Sequence, residues 1–162
     1  MNTPPAPSAT LPDLVCFSHL RWDFVYQRPQ HLMSRFARER RVFYIEEPVF
    51  ENAATSSLRV TPRVDGVEVI VPVLPEELSD REVIMIQRSL IADFLDAHTD
   101  RPTFWFQTPM AFSFAPTDRA GVVIYDCMDE LSGFKDAPPA LAFNEKQLLA
   151  RSDLVFTGGR AL

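Results

Sequence analysis

Short apolar runs alternate with segments of helical period along almost the whole chain. Residues 14–18, 41–46, 103–107, 122–126 and 154–157 are the runs, and four of the five are continuously apolar rather than alternating. Continuous apolarity means burial on both faces, which is the condition of a parallel strand covered by helices. Between the runs lie three amphipathic segments. The first begins at Pro29, a residue suited to the first turn of a helix, and puts Leu32, Met33, Phe36 and Ala37 on one face. The second opens with Ser79-Asp80-Arg81-Glu82, a capping box, and carries Val83, Ile84, Leu90, Ile91, Phe94 and Leu95 as one stripe. The third follows Pro138-Pro139 with Leu141, Glu145, Leu148 and Leu149 at helical spacing. Asp65-Gly66 between residues 58–60 and 67–71 is a hairpin signal. Pro62 and Pro72 should keep those two strands short or at an edge. The expected fold is a single α/β domain. Its sheet is doubly wound and mostly parallel, with helices on both faces and a β-hairpin excursion.

A chain of 162 residues, 46% apolar, can bury one substantial core. Its formal charge of −6 argues against nucleic acid as a partner, which would favour a basic face. No stretch is apolar for long enough to span a bilayer, and residues 1–10 have neither the basic nor the apolar region of a secretory signal. Rich in proline and small residues, they are expected to form a disordered tail. The two cysteines, Cys16 and Cys127, sit in strand patterns and read as reduced thiols of a cytoplasmic protein. Gly158-Gly159 after the last strand is the start of a strand-to-helix turn, so the chain reads as a piece of something longer.

In a parallel sheet the carboxyl ends of the strands share one edge, and open α/β sheets bind ligands there. That edge should collect His19 and its loop, Glu46, Glu47, Gln107, Asp126, Asp129, Glu130 and Gly158-Gly159. His19 is the candidate general base, since imidazole titrates near neutrality, with a loop-anchoring hydrogen bond as the alternative. Taking Pro29 as the first helical residue makes Arg28 the N-cap, which cannot accept the free amides. They, with Arg21 and Arg28, would then suit an anion or sugar hydroxyl. Trp22, Phe24 and Tyr26 could stack on a sugar ring or tuck into the core. Asp126, Asp129 and Glu130 could accept hydrogen bonds from sugar hydroxyls, act as a base, or simply cap the next turn. His31 reads as a packing group and His98 as a solvated one. Arg35, Arg38, Arg40 and Arg41 suit a helix C-terminus, and an anionic membrane face is a further partner for them. There is no cysteine/histidine spacing for zinc, no aspartate-rich calcium loop and no glycine-rich phosphate loop. No cofactor is expected.

Three blocks carry a family resemblance: Trp22-Asp23-Phe24-Val25-Tyr26-Gln27-Arg28-Pro29-Gln30-His31-Leu32, Tyr125-Asp126-Cys127-Met128-Asp129-Glu130 and Ala150-Arg151-Ser152-Asp153-Leu154-Val155-Phe156-Thr157. Together they resemble the N-terminal, acceptor-side half of bacterial GT-B glycosyltransferases of the kind that build cell-surface polysaccharides. The resemblance covers residues 11–162 and implies a Rossmann-like domain whose donor-binding partner domain is not in this chain. It implies a nucleotide-sugar donor, a glycan acceptor and no metal. A histidine after the first strand is the base in inverting members, which places His19 with Asp126 and Asp129 as catalytic candidates. Arg21, Trp22, Tyr26, Gln27, Arg28, Gln30, Gln107 and Glu130 would then bind substrate. The expected location is the cytoplasm, with the inner membrane surface as a possible contact. An isolated half should be nearly inactive. The alternatives are a non-catalytic carbohydrate-binding or scaffold module, a protein associated with UDP-galactopyranose mutase (though the flavin fingerprint is missing), and an NAD-linked or flavin enzyme.

Overall fold

The computed structural model describes residues 11–128, 133 and 135–158; the tail over 1–10, Asp129, Glu130 and Gly159 lie outside them. The chain runs β1 (Leu14–Phe17), α1 (Arg28–Phe36), β2 (Val42–Ile45), β3 (Val49–Glu51), β4 (Ser57–Pro62), β5 (Val67–Pro75), α2 (Asp80–His98), β6 (Thr103–Phe106), β7 (Val122–Cys127), α3 (Leu141–Arg151) and β8 (Leu154–Thr157). These strands form one sheet in the order β3-β5-β2-β1-β6-β7-β8, with β4 alongside β5. Every pairing is parallel except that of β4 with β5. The expected doubly wound, mostly parallel architecture is what forms.

Successive strand residues point to opposite faces, so each apolar run feeds two cores. Val15, Phe17, Phe43, Ile45, Phe104, Phe106, Val123 and Tyr125 face one way and meet Ile91 and Leu95 of α2 and Leu148 of α3. Leu14, Cys16, Val42, Tyr44, Val67, Val69 and Trp105 face the other way and meet Met33 of α1 together with Trp22. The first core is tied by aromatic rings: Phe17 stacks on Phe106 at 4.8 Å and meets Phe104 edge-on at 5.1 Å. Each such buried side chain stabilises the fold by about 1.5–3 kcal/mol, and β1 and β6 at the middle of the sheet are buried along their whole length. That rigid centre is what the polar residues beyond these two strands stand on.

Two expectations need correction. The hairpin forms at the expected turn, where Gly66 takes a φ of +85° and its N–H reaches Arg63 O at 3.1 Å. It is not an excursion, however. β5 is an inner strand of the parallel sheet, paired with β2 through Ile70 and with β3 from Val73. Pro72 has no N–H to donate and falls in the gap between those two stretches, which is why a nine-residue strand tolerates it. Of the two hairpin strands, β4 is the one at the edge. The second correction concerns α1, which starts one residue earlier than its proline suggested, so Gln27 rather than Arg28 is the N-cap. The Gln27 N–H is taken by Gln30 Oε1 at 3.0 Å.

Cys16 illustrates how completely the core is sealed. Its thiol is buried, and burial first, then the nearby Asp126 charge, pushes its pKa well above the ordinary value. A raised pKa and no access both suppress the thiolate that attacks alkylating agents. Iodoacetamide at neutral pH should therefore leave Cys16 unmodified in the native protein and label it on unfolding, as peptide mass mapping would read out. Fast native labelling of Cys16 would mean that the β1–α1 layer opens.

Candidate functional site

The chain passes from β1 to β2 on one side and later places β6 on the other side of β1, so the direction of winding reverses between β1 and β6. The crevice outside the carboxyl ends of such a pair is the ligand position in open α/β sheets. The registers then bring polar residues into line. Phe17 is paired with both Ile45 and Phe106, and Phe106 with Tyr125. One step further along each strand stand Glu46, Ser18, Gln107 and Asp126, a row across β2, β1, β6 and β7. All four share the α1 face, because they follow Tyr44, Cys16, Trp105 and Ile124 at the two-residue repeat. All four are buried, with exposures of 6%, 2%, 2% and 1% in that order.

Buried polar groups must be hydrogen-bonded or they cost stability, and three members of the row are accounted for. Glu46 accepts the Trp22 N–H at 2.7 Å and Arg21 Nη1 at 2.9 Å. Ser18 Oγ accepts the Leu20 N–H at 3.0 Å and the Tyr44 hydroxyl at 2.7 Å. Burial, ahead of the nearby charges, drives the Tyr44 pKa upward, so the phenol stays a donor. Asp126 is held bidentately by Arg28, Nη2 to Oδ1 at 3.0 Å and Nε to Oδ2 at 3.3 Å. Gln107 differs. Both its Oε1 and its Nε2 are buried with no hydrogen-bond partner among the described residues. A primary amide that could donate twice and accept twice is left unsatisfied at the reversal point of the sheet.

The loop between β1 and α1 is fixed by the same row and by Gln30. The Gln30 side chain is fully buried and donates to Trp22 O at 3.0 Å and Val25 O at 2.9 Å, besides accepting the Gln27 N–H. Gln30 thus acts as a clamp on its own loop. Trp22 goes into the core, edge-on to Tyr44 at 4.9 Å, and does not lie open as a sugar platform. Arg21 is committed to Glu46 and to the carbonyls of Glu47 (2.6 Å) and Pro48 (3.2 Å). Phe24, Val25 and Tyr26 are the apolar residues the loop leaves exposed, at 81%, 47% and 57%. Tyr26 leans edge-on against His31 at 4.6 Å, and its hydroxyl shares a hydrogen bond with Ser34. Gln27 is exposed at the helix start. His19 is half-buried, immediately beyond Ser18.

Of the candidate residues, the structure therefore brings His19, Arg21, Trp22, Arg28, Gln30, Gln107 and Asp126 to one edge. Tyr26 and Gln27 lie on the outer part of the same loop, and Asp129 and Glu130 fall outside the described residues. Glu46 was placed at this edge by the sequence but was not singled out. Its position directly after an apolar strand is the signal, and its anchoring role needed the loop to be seen folded back. At the far end of the edge, Gly158 N–H bonds Cys127 O at 3.0 Å, and a Cβ there would lie 2.4 Å from Met128 O. Only glycine permits that approach. Among the described residues no three histidine, cysteine or acidic groups cluster to hold a metal, and no helix is long and apolar enough to cross a membrane.

No family model matches the chain, and no curated protein sequence matches it. Solved structures of similar fold exist. The E. coli trehalose-6-phosphate structure bound with UDP-2-fluoro glucose matches with a TM-score of 0.55 at 12% identity, over 88% of this chain and 39% of that one. An alpha,alpha-trehalose-phosphate synthase (UDP-forming) from Burkholderia xenovorans in complex with glucose-6-phosphate gives 0.55 at 9% identity, over 88% and 39%. The Burkholderia multivorans synthase gives 0.53 at 8%, over 90% and 39%. The chain thus spans about two fifths of the length of the solved structures it matches. Likeness at such low identity concerns architecture alone: this is a Rossmann-like α/β domain, a fold shared with part of each of these chains.

Proposed function

We propose that this chain is the acceptor-side half of a glycosyltransferase that moves a sugar from a nucleotide-sugar donor to a surface glycan in the cytoplasm, at the inner face of the membrane. Gln107 is the observation that carries the reading. A sugar hydroxyl both donates and accepts, so it satisfies the two ends of a primary amide that the protein itself leaves unsatisfied. The fold likeness supports it as well, since the similar solved structures hold UDP-2-fluoro glucose and glucose-6-phosphate. So does β8, whose Leu154, Val155 and Phe156 are all more than a third exposed. A parallel strand is ordinarily covered on both faces, and a further, donor-binding domain would supply chain to cover it.

In this reading His19 takes the proton of the attacking hydroxyl. Asp126, already bonded to Arg28, positions that guanidinium toward the transferred sugar instead of acting as a base. Asp129 and Glu130 are kept in this reading as further candidates for contact with the acceptor. Alone, the half lacks most donor contacts and turns over little.

The test exploits the unsatisfied amide. Leaving it buried costs the fold about 1–3 kcal/mol, so Gln107→Met should raise the denaturation midpoint or leave it unchanged. In a longer protein carrying the donor-side domain, the same change should lower transfer by about a hundredfold, the weight of a lost pair of buried hydrogen bonds. Higher stability with undiminished transfer would remove the site assignment.

A further inference from the structure

A second concave site adjoins the loop on the α1 face of the sheet, lined in part by Arg21 and Glu46 and about 280 Å³ in volume. The edge hairpin builds it. Arg59, Thr61 and Arg63 recur at every second position along β4 and its turn, so they stand on one face. Arg59 pairs with Val71 and Thr61 with Val69 across to β5, and those two valines, with Val49, form the floor.

The arginines are held in place and not used up. Arg21 is bound to Glu46, Arg59 to Glu51 and Arg63 to Asp23. Arg59 makes its ion pair through Nη2 alone at 2.6 Å, which leaves Nε and Nη1 free of that carboxylate. Arg63 Nε is buried with no hydrogen-bond partner among the described residues. Each guanidinium is matched by one carboxylate, so what the lining offers an anion is not excess charge but the N–H donors that Arg59 and Arg63 leave unused. Carboxylates that orient guanidinium forks in this way prepare them for a planar or tetrahedral oxyanion. The valine floor suits the carbon-bound face of a pyranose ring, and the volume suits a single sugar, not a nucleotide.

We propose that this pocket binds an anionic monosaccharide unit, its phosphate or carboxylate group on Arg59 and Arg63 and its ring over Val69 and Val71. The pocket chemistry stands by itself and does not require sugar transfer at the Gln107 edge. Two sources offer the same oxyanion, a sugar phosphate ester and a uronic acid.

Backbone amide NMR of this chain, titrated separately with glucose 6-phosphate, glucuronate and neutral glucose, tests the assignment. Saturable shifts are expected at residues 59–63 and 69–71 with at least one of the two anions. Arg59→Gln and Arg63→Gln should each weaken that binding by about tenfold, the weight of one charge-assisted pair. Arg119→Gln, which disturbs only an exposed pair with Asp96 and Asp118, should change it by less than about twofold. Tighter binding of glucose 6-phosphate assigns a phosphate ester, and tighter binding of glucuronate a uronic acid. The proposal is overturned if neither anion gives saturable shifts in these strands, if neutral glucose binds as well as both, or if Arg59→Gln binds like the parent. Arg59 is an exposed edge residue, so its replacement leaves the hairpin turn intact and the negative result interpretable.

Discussion

Replacing Glu46 with alanine should destabilise the fold by about 3 kcal/mol, with the urea slope unchanged. The carboxylate is 6% exposed and takes two hydrogen bonds, one from a buried backbone N–H and one from a guanidinium. Truncation strands the Trp22 amide without a partner in the core and leaves Arg21 only the carbonyls of Glu47 and Pro48. An orphaned buried donor costs about 1–3 kcal/mol, and a lost charge-assisted bond about 1.5–3 kcal/mol. Glu46→Gln separates the two contributions, because its amide oxygen can still accept from Trp22 while the charge for Arg21 is gone. It should cost about half as much. Because the loop from Ser18 to Gln30 hangs on this residue, hydrogen exchange of its amides should speed up in Glu46→Ala before the sheet amides do. An unchanged midpoint for Glu46→Ala would show that the loop is held by Gln30 alone.

Arg28→Met should cost about 2–3 kcal/mol even though Arg28 itself is half exposed. The loss comes from its partner. Asp126 is 1% exposed on its side chain, and removing the bidentate guanidinium leaves a carboxylate in the core beside the Cys16 thiol. The value sits below the usual 3–5 kcal/mol range for breaking a buried pair because water already reaches one partner. Asp126→Asn in the Arg28→Met background should recover most of the loss, since the uncompensated charge disappears. Chemical denaturation of the two single variants and the double variant closes the cycle. Strict additivity would mean that the two side chains do not depend on each other, and that Asp126 does not hold Arg28 at the edge.

Legibility varied with how local the governing physics was. Ser79 and Glu82 announced the start of α2, and the reciprocal bonds are present, Ser79 N to Glu82 Oε2 at 2.8 Å and Glu82 N to Ser79 Oγ at 3.4 Å. The Asp65-Gly66 turn was equally plain. The inner position of β5 was not, because alternating polarity and two prolines are the marks of an edge strand. Only the staggered pairing with β2 and β3 gives Pro72 a place. Gln30 read as surface chemistry, and Trp22 was open between a sugar platform and the core, in a loop crowded with polar and aromatic residues. Whether a loop side chain points to solvent or back at the core depends on contacts from distant segments, here Tyr44 and the loop's own carbonyls.

The run of residue types along the chain pointed to the parallel layering, because unbroken apolar strands need cover on both faces and the amphipathic helices between them supply it. It also placed His19, Gln107 and Asp126 on a common edge. The tertiary structure decided which of those polar groups are spent and which are spare. Glu46, Ser18 and Asp126 find partners supplied by α1, β2 and the intervening loop, whereas Gln107 finds none among the described residues. Hydrogen-bond satisfaction is a property of three-dimensional neighbours, and only the folded chain assembles them.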